Sequence, residues 1–265
     1  MQKRIVVVKI GGSTLGSHDT TLEDLVELQK QGKSLVVVHG GAKVSSEWLA
    51  RLGIPTTFVN GLRVTDAETL KVVAAALGGL VNKELVVAIQ ALGGRAVGLS
   101  GCDGNLLWAS VKSPEMGYVG EIVAVDPAPV ALLLRAGYMP VVAPTSFGSM
   151  EGRVTLLNVN GDTAAGEIAA ALAAEKLIFL TDVNGIHDSS GQVVPNLNLA
   201  EAKDMLASGI ASGGMIPKIE ASLRALTTTK VVRIIDGRAA HALRDDITRK
   251  ARQETKGGGT TIVSD

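Results

Sequence analysis

The chain has 265 residues, of which 46% are apolar and 3% aromatic, with 26 basic and 26 acidic side chains. That apolar fraction fills the core of one large α/β domain or of two small lobes, while a formal net charge of zero removes any global pull toward nucleic acid or an anionic membrane. Aromatic residues are too sparse for a base-stacking groove, and the single cysteine, Cys102, excludes an internal disulfide or a cysteine zinc cluster and reads as a small buried hydrophobe.

Strands are predicted at 4–10, 34–39, 96–100, 138–143, 176–181 and 230–235, as apolar β-branched runs separated by helical periods. Continuous rather than alternating runs mark strands covered on both faces, the signature of parallel βαβ units. The N-terminus enters the first strand without a basic region, apolar stretch and cleavage site in succession. No apolar run approaches the roughly 20 residues that span a bilayer. The expectation is a cytoplasmic protein without membrane or nucleic-acid partners.

The first strand closes as "VVVKIGGS", with Lys9 followed by Gly11 and Gly12. Thr21 is expected to cap the next helix with Asp24 three residues on, and Leu22, Leu25, Val26 and Leu28 form its inner face. "GKS" at 32–34 imitates the end of a P-loop but precedes a strand, so it reads as a loop. The second strand ends "VVVHGGAK", placing Gly40 and Gly41 beside the first glycine pair. His39 there reads as structural.

Glycine turns beyond the carboxyl ends of neighbouring strands let backbone amides approach an anion, and a helix N-terminus adds partial positive charge. For Lys9 two readings stand: a salt bridge to an acidic side chain, or a clamp on a bound anion. No G-x-G-x-x-G opens a helix after the first strand, so hydride transfer with a dinucleotide has no fingerprint.

A long helix is expected over 66–92, broken at Gly78-Gly79. Residues 104–125 read as a β-hairpin attached to the sheet. A soft boundary falls between 143 and 176. "LLNVNGDTAAGEIA" then offers Asn158, Asn160 and Asp162 at spacings of two, which in an extended segment share one side; Asp162 is also a candidate N-cap. A helix follows over 162–174. "TDVNG" holds Thr181, Asp182, Val183 and Gly185, with Asp182 open between turn residue and ligand contact. "SGGMIPKIEA" puts Gly213, Gly214 and Met215 ahead of Lys218, a cation near a helix start that is unfavourable without an anion nearby. "KGGGTTIVS" predicts a last strand.

"KIGG", "VHGG", "NGLRVTD", "VNK", "NVNGDTAAGEIA", "FLTDVNGI", "GGMIPKIEA" and "GTTI", in this order across nearly the whole chain, resemble the amino acid kinase family. The resemblance implies a three-layer αβα fold with a mainly parallel sheet, an N-terminal lobe (1–150) for an acyl amino acid and dimerisation, and a C-terminal lobe (151–265) for ATP. It implies ATP-dependent phosphorylation of the γ-carboxylate of N-acetyl-L-glutamate, with Mg²⁺ carried by the nucleotide phosphates and no metal held by the protein itself. By the same resemblance, Lys9, Lys218 and Asp162 are catalytic. Gly40, Gly41, Arg63, Asn158 and Asn160 hold the substrate, with Arg63 on its α-carboxylate. Gly11, Gly12, Thr181, Asp182, Val183, Gly185, Gly213, Gly214, Met215 and Lys218 hold the nucleotide, with the amides of Gly11, Gly12 and Gly41 on phosphate.

Three departures qualify this. Ala42 stands where a third glycine is usual and Gly161 where alanine is common. The early first strand leaves no N-terminal helix, which implies a homodimer with weak or absent arginine inhibition. The rival readings are a kinase for carrier-linked aminoadipate or glutamate and a non-catalytic nucleotide-binding protein of the same fold.

Overall fold

A computed structural model describes residues 4–11, 20–248 and 258–264. Its first half runs β1 (Ile5–Ile10), α1 (Thr21–Lys30), β2 (Ser34–His39), α2 (Ala42–Arg51), the short strands β3 (Phe58–Val59) and β4 (Leu62–Arg63), α3 (Ala67–Ala74), a π-helical segment (Ala75–Val81), α4 (Asn82–Ala91), β5 (Ala96–Ser100), β6 (Leu107–Val111), β7 (Gly120–Val125), α5 (Ala128–Arg135) and β8 (Met139–Ala143). It continues through β9 (Thr145–Met150), β10 (Arg153–Asn158), α6 (Gly161–Ala171), β11 (Lys176–Thr181), β12 (Asn196–Leu197), α7 (Leu199–Ala207), α8 (Met215–Ala225), β13 (Val231–Asp236), α9 (Ala242–Thr248) and β14 (Thr260–Val263).

The predicted strands assemble into one eight-stranded sheet, ordered β12-β14-β13-β11-β1-β2-β8-β5. Every neighbouring pair in it is parallel except β13 with β14. Alternation along β1 sends Val6, Val8 and Ile10 into a core shared with α1, α4 and α9. Val7 points into the opposite core, built with α5, α6, α7 and α8. The result is the expected αβα sandwich. Lys9 follows Val7 on the same face by the period of two, so it emerges where α6 begins.

Gly166 fixes how closely α6 approaches α8. A Cβ there would stand 2.5 Å from the Ala221 carbonyl oxygen, a clash with backbone that only separation of the helices relieves.

Four local expectations differ from the structure. Thr21 does not cap α1: it is the first helical residue, and the capping position falls on Thr20, whose hydroxyl accepts the His241 N–H at 2.6 Å, while the Asp24 side chain pairs with His241 Nδ1 at 2.8 Å and the Arg244 N–H at 3.1 Å. The long helix is not broken at Gly78-Gly79; a π turn absorbs both glycines, an irregularity that helices tolerate as a single bulge. The hairpin β6-β7 is not attached to the main sheet. It joins β9 and β10 in a separate sheet, ordered β10-β9-β6-β7.

The fourth difference concerns apolar length. The 25-residue helix Ala67–Ala91, with an 18-residue window of mean hydropathy 1.8, is long and apolar enough by length and composition to cross a membrane. One such helix is weak evidence of a span, and Leu70, Val73, Leu77, Val81, Leu85 and Ile89 bury one side of it within this fold.

Candidate active site

Lys9 and Asp162 meet because β1 delivers one and the first turn of α6 delivers the other. Lys9 Nζ lies 2.8 Å from Asp162 Oδ1, and Lys218 Nζ lies 3.0 Å from Asp162 Oδ2. Of the two readings of Lys9 the structure shows the salt bridge, and its acidic partner also bridges to a second lysine. Lys218 also donates to the Gly214 carbonyl at 3.3 Å, which ties it to the loop that opens α8. Asp162 is only 4% exposed. Burial pushes its carboxyl upward, but the two ammoniums outweigh that and hold it below its ordinary range.

Asp162 is not the N-cap of its helix. Asn160 takes that role, its Oδ1 accepting from the N–H groups of Asp162 at 2.8 Å and Thr163 at 3.1 Å. This leaves the Asp162 carboxylate to the lysines. The segment is not extended throughout either: Asn158 ends β10, Asn160 caps, and Asp162 is helical. All three still face one cleft of about 320 Å³, together with Lys9, Gly41 and Arg63. Gly40 lines it as well.

Arg63, in the same cleft lining, is 6% exposed. Its Nη2 donates to the Ala42 carbonyl at 3.1 Å and to Ser46 Oγ at 2.7 Å, and the guanidinium lies 4.6 Å from the centroid of Phe58. Burial lowers its pKa below the usual guanidinium value, yet a guanidinium stays charged at neutral pH. Arg63 Nη1 is buried with no hydrogen-bond partner among the described residues. Such a donor fits a ligand carboxylate, which a guanidinium takes as a fork. Asn158 Nδ2 donates to Thr65 Oγ1 at 3.1 Å, which in turn donates to the Arg63 carbonyl at 2.7 Å, so the two walls are linked.

Phosphate-binding amides are fewer than expected. The Gly11 N–H donates to the Leu180 carbonyl at 3.2 Å and the Gly40 N–H to the Ile10 carbonyl at 2.9 Å. The glycine turns thus prolong the parallel ladder before they open. Gly12 lies outside the described residues. Gly41 stands at the head of α2, where the first helical amides remain available.

Among the described residues, the expected nucleotide residues lie apart from the cleft lining, although Lys218 reaches it through Asp162. Thr181 ends β11, and its hydroxyl donates to Asp182 Oδ1 at 3.3 Å. Asp182 is exposed and Val183 half-buried. Gly185, at φ 135°, has a packing reason: a Cβ there would stand 2.8 Å from Thr260 Oγ1. Gly213 and Gly214 are exposed, and Met215 begins α8. The β3-β4 turn reaches this loop, since a Cβ on Gly61 would lie 3.5 Å from the Gly213 carbonyl oxygen.

His39 is structural, as expected. Its Nδ1 pairs with the Gly40 carbonyl at 2.8 Å and its Nε2 with Asn82 Nδ2 at 3.1 Å. Burial first, then Lys9 and Lys83, lower its pKa to about 4 despite the Gly40 bond. A ring kept neutral in the fold lends stability in full above its ordinary value of 6.5, lost as pH falls toward 4.

The departures are benign in place. Ala42 is exposed at the cleft edge. A Cβ on Gly161 would make ordinary contacts, 3.4 Å to the His39 carbonyl oxygen and 3.5 Å to Lys9 Cε. The sequence reading missed Phe58, Ser45, Ser46 and Thr65. Only Thr65 lay inside a recognised motif.

Residues 4–236 match the profile of the amino acid kinase family. The chain belongs to the amino acid kinase family. Among its relatives, an acetylglutamate kinase of Dehalococcoides mccartyi is 45% identical over 267 residues, an alignment covering 99% of this chain and 96% of the relative. A Streptococcus mutans UA159 protein of solved structure superposes with a TM-score of 0.82 at 28% identity, covering 98% of this chain and 99% of that one. The N-acetylglutamate synthase of Neisseria gonorrhoeae, solved with coenzyme A and N-acetyl-glutamate, also gives 0.82, at 26% identity over 99% of this chain and 60% of the synthase. Members of the amino acid kinase family transfer phosphoryl groups, and the two lysines on one carboxylate suit that chemistry.

Proposed function

We propose that this kinase phosphorylates the γ-carboxylate of N-acetyl-L-glutamate with ATP, a step of arginine biosynthesis that yields an acyl phosphate and ADP. The observation that carries the reading is the convergence of Lys9 and Lys218 on Asp162 in a cleft that is also lined by the half-satisfied guanidinium of Arg63. The named function of the Dehalococcoides relative and the N-acetyl-glutamate bound by the Neisseria synthase support the same substrate.

Arg63 takes the α-carboxylate, and Asn158 and Asn160 border the acylamino end. That leaves the γ-carboxylate toward Lys9. A carboxylate is already a nucleophile, so no residue acts as general base: its oxygen forms the new bond to the γ-phosphorus while the bond to the ADP oxygen breaks and its electron pair leaves with ADP. Lys9 and Lys218 neutralise charge on the transferring group, which is where phosphoryl transfer gains most. Asp162 keeps both ammoniums in position. The head of α2 at Gly41 adds amides. Mg²⁺ carried by the nucleotide phosphates would supply further neutralisation.

We assign the acyl substrate mainly to residues 1–150, with Asn158 and Asn160 reaching in from the second half, and the nucleotide mainly to 151–265, with Thr181 to Gly185 and Ser212 to Met215 around the adenosine. We place the enzyme in the cytoplasm, where ATP is available, as a homodimer. The outer side of the long helix, with Gly79, Leu80, Val87 and Ala88 around a shallow depression and Val87 64% exposed, is the surface we give to the second copy. Val87→Asp is expected to shift the protein from dimer to monomer in sedimentation; an unchanged dimer places the contact elsewhere.

The activity is tested by trapping the acyl phosphate with hydroxylamine. Hydroxamate should accumulate with N-acetylglutamate, ATP and Mg²⁺, and stay near background with glutamate or aspartate. ATP binding without turnover would overturn the enzyme reading, and preferential turnover of carrier-linked aminoadipate would overturn the substrate.

A further inference from the structure

Ser45 carries a second unsatisfied buried polar atom in the cleft wall. It sits in the first turns of α2, on the inward side with Leu49, and is 1% exposed. Helical serines commonly bond the carbonyl four residues back. Here the Ser45 N–H takes the Gly41 carbonyl at 3.0 Å, whereas Ser45 Oγ has no hydrogen-bond partner among the described residues. Buried hydroxyls are rarely left so, and each exception calls for a reason.

The neighbouring residue supplies one. Ser46 Oγ and the Ala42 carbonyl hold Arg63 Nη2 on this same helix, while Arg63 Nη1 is the other unpartnered donor. Ser45 and Arg63 line the same cleft. An N–H and an O–H donor without partners in one wall match the two oxygens of a carboxylate, which offers about four lone-pair sites.

We infer that Ser45 is a substrate-binding residue whose hydroxyl donates to the α-carboxylate alongside Arg63, and so sharpens the choice of acyl amino acid. The inference rests on the kinase reading above. A site with buried donors strongly rejects analogues that leave them unpaired, so the hydroxyl adds selectivity against substrates in which that carboxylate is masked.

The test is steady-state kinetics of the full-length enzyme with N-acetylglutamate and with its α-amide. Ser45→Ala should raise KM for N-acetylglutamate about tenfold, the scale of one hydrogen bond to a charged group, with kcat and KM for ATP little changed. KM for the α-amide should move much less. The melting temperature should hold or rise, because the variant removes an unsatisfied buried hydroxyl. Equal changes for acid and amide would overturn the carboxylate partner. An unchanged KM in Ser45→Ala, alongside a large rise in Arg63→Ala, would overturn the Ser45 role and leave the kinase reading intact. Unchanged KM in both variants would overturn Ser45 together with the placement of the α-carboxylate.

Discussion

Lys218→Ala is expected to lower kcat by on the order of 100-fold or more, the usual loss when one preorganised positive donor is removed from a developing charge. Lys218 is held by Asp162 and by the Gly214 carbonyl, so its ammonium is oriented before substrate arrives and little reorganisation precedes transfer. Lys9→Ala should cost a comparable factor, because Lys9 is set on a rigid strand at 8% exposure and acts in the same low-dielectric corner. Lys218→Arg should not restore the rate: a planar fork does not replace a compact ammonium on a single carboxylate oxygen. Hydroxamate formation under saturating substrates measures all three. Rates within about threefold of the parent in both alanine variants would remove the lysines from the chemistry, against the size expected for lost charge stabilisation.

Asp162→Asn should destabilise the fold by about 3 kcal/mol or more, since breaking a buried ion pair strands the remaining charge. Here two ammoniums are stranded at once. The loss is read as a lower urea midpoint at pH 7. Its pH dependence has a definite sign: the carboxyl is held below its ordinary range in the fold, so its contribution is full above the unfolded value of about 3.9 and disappears as pH falls through the lower folded value. The gap between parent and variant should therefore close below about pH 4. His39 titrates in both proteins, so its contribution cancels from the comparison. A midpoint shift near zero at pH 7 would mean that the triad contributes no net stability.

The predicted strands were legible because parallel sheets buried on both faces demand continuous β-branched runs, and Val6 to Val8 or Val36 to Val38 allow few other readings. The second sheet was not. "TSFGSM" carries little apolar weight, and the turn into β10 uses Glu151 at φ 51° before Gly152 at φ 76°, a pair far from the usual Asn-Gly signal. Capping was misread where several side chains competed: Asn158, Asn160 and Asp162 are all plausible caps by type, and only the backbone at Asn160, extended at ψ 134°, selects one. Lys9 and Lys218 were visible as charges out of place, yet nothing local joined them; their meeting depends on α6 and α8 packing closely over Gly166. Ser45 had no signal at all, because a serine in a surface-facing helix and a serine with an orphaned hydroxyl in a cleft are written identically.

β1 reaches β2 after one short crossover, but its other neighbour, β11, is made more than half the chain later. Until β11 is made, an Ile-Val-Val-Val run therefore has one flank without a partner, the kind of edge onto which strands of other molecules add. A charge on such a strand opposes that pairing, and Lys9 is the only charged residue within β1. The ammonium that later meets Asp162 and Lys218 is thus also the residue of β1 suited to oppose such addition.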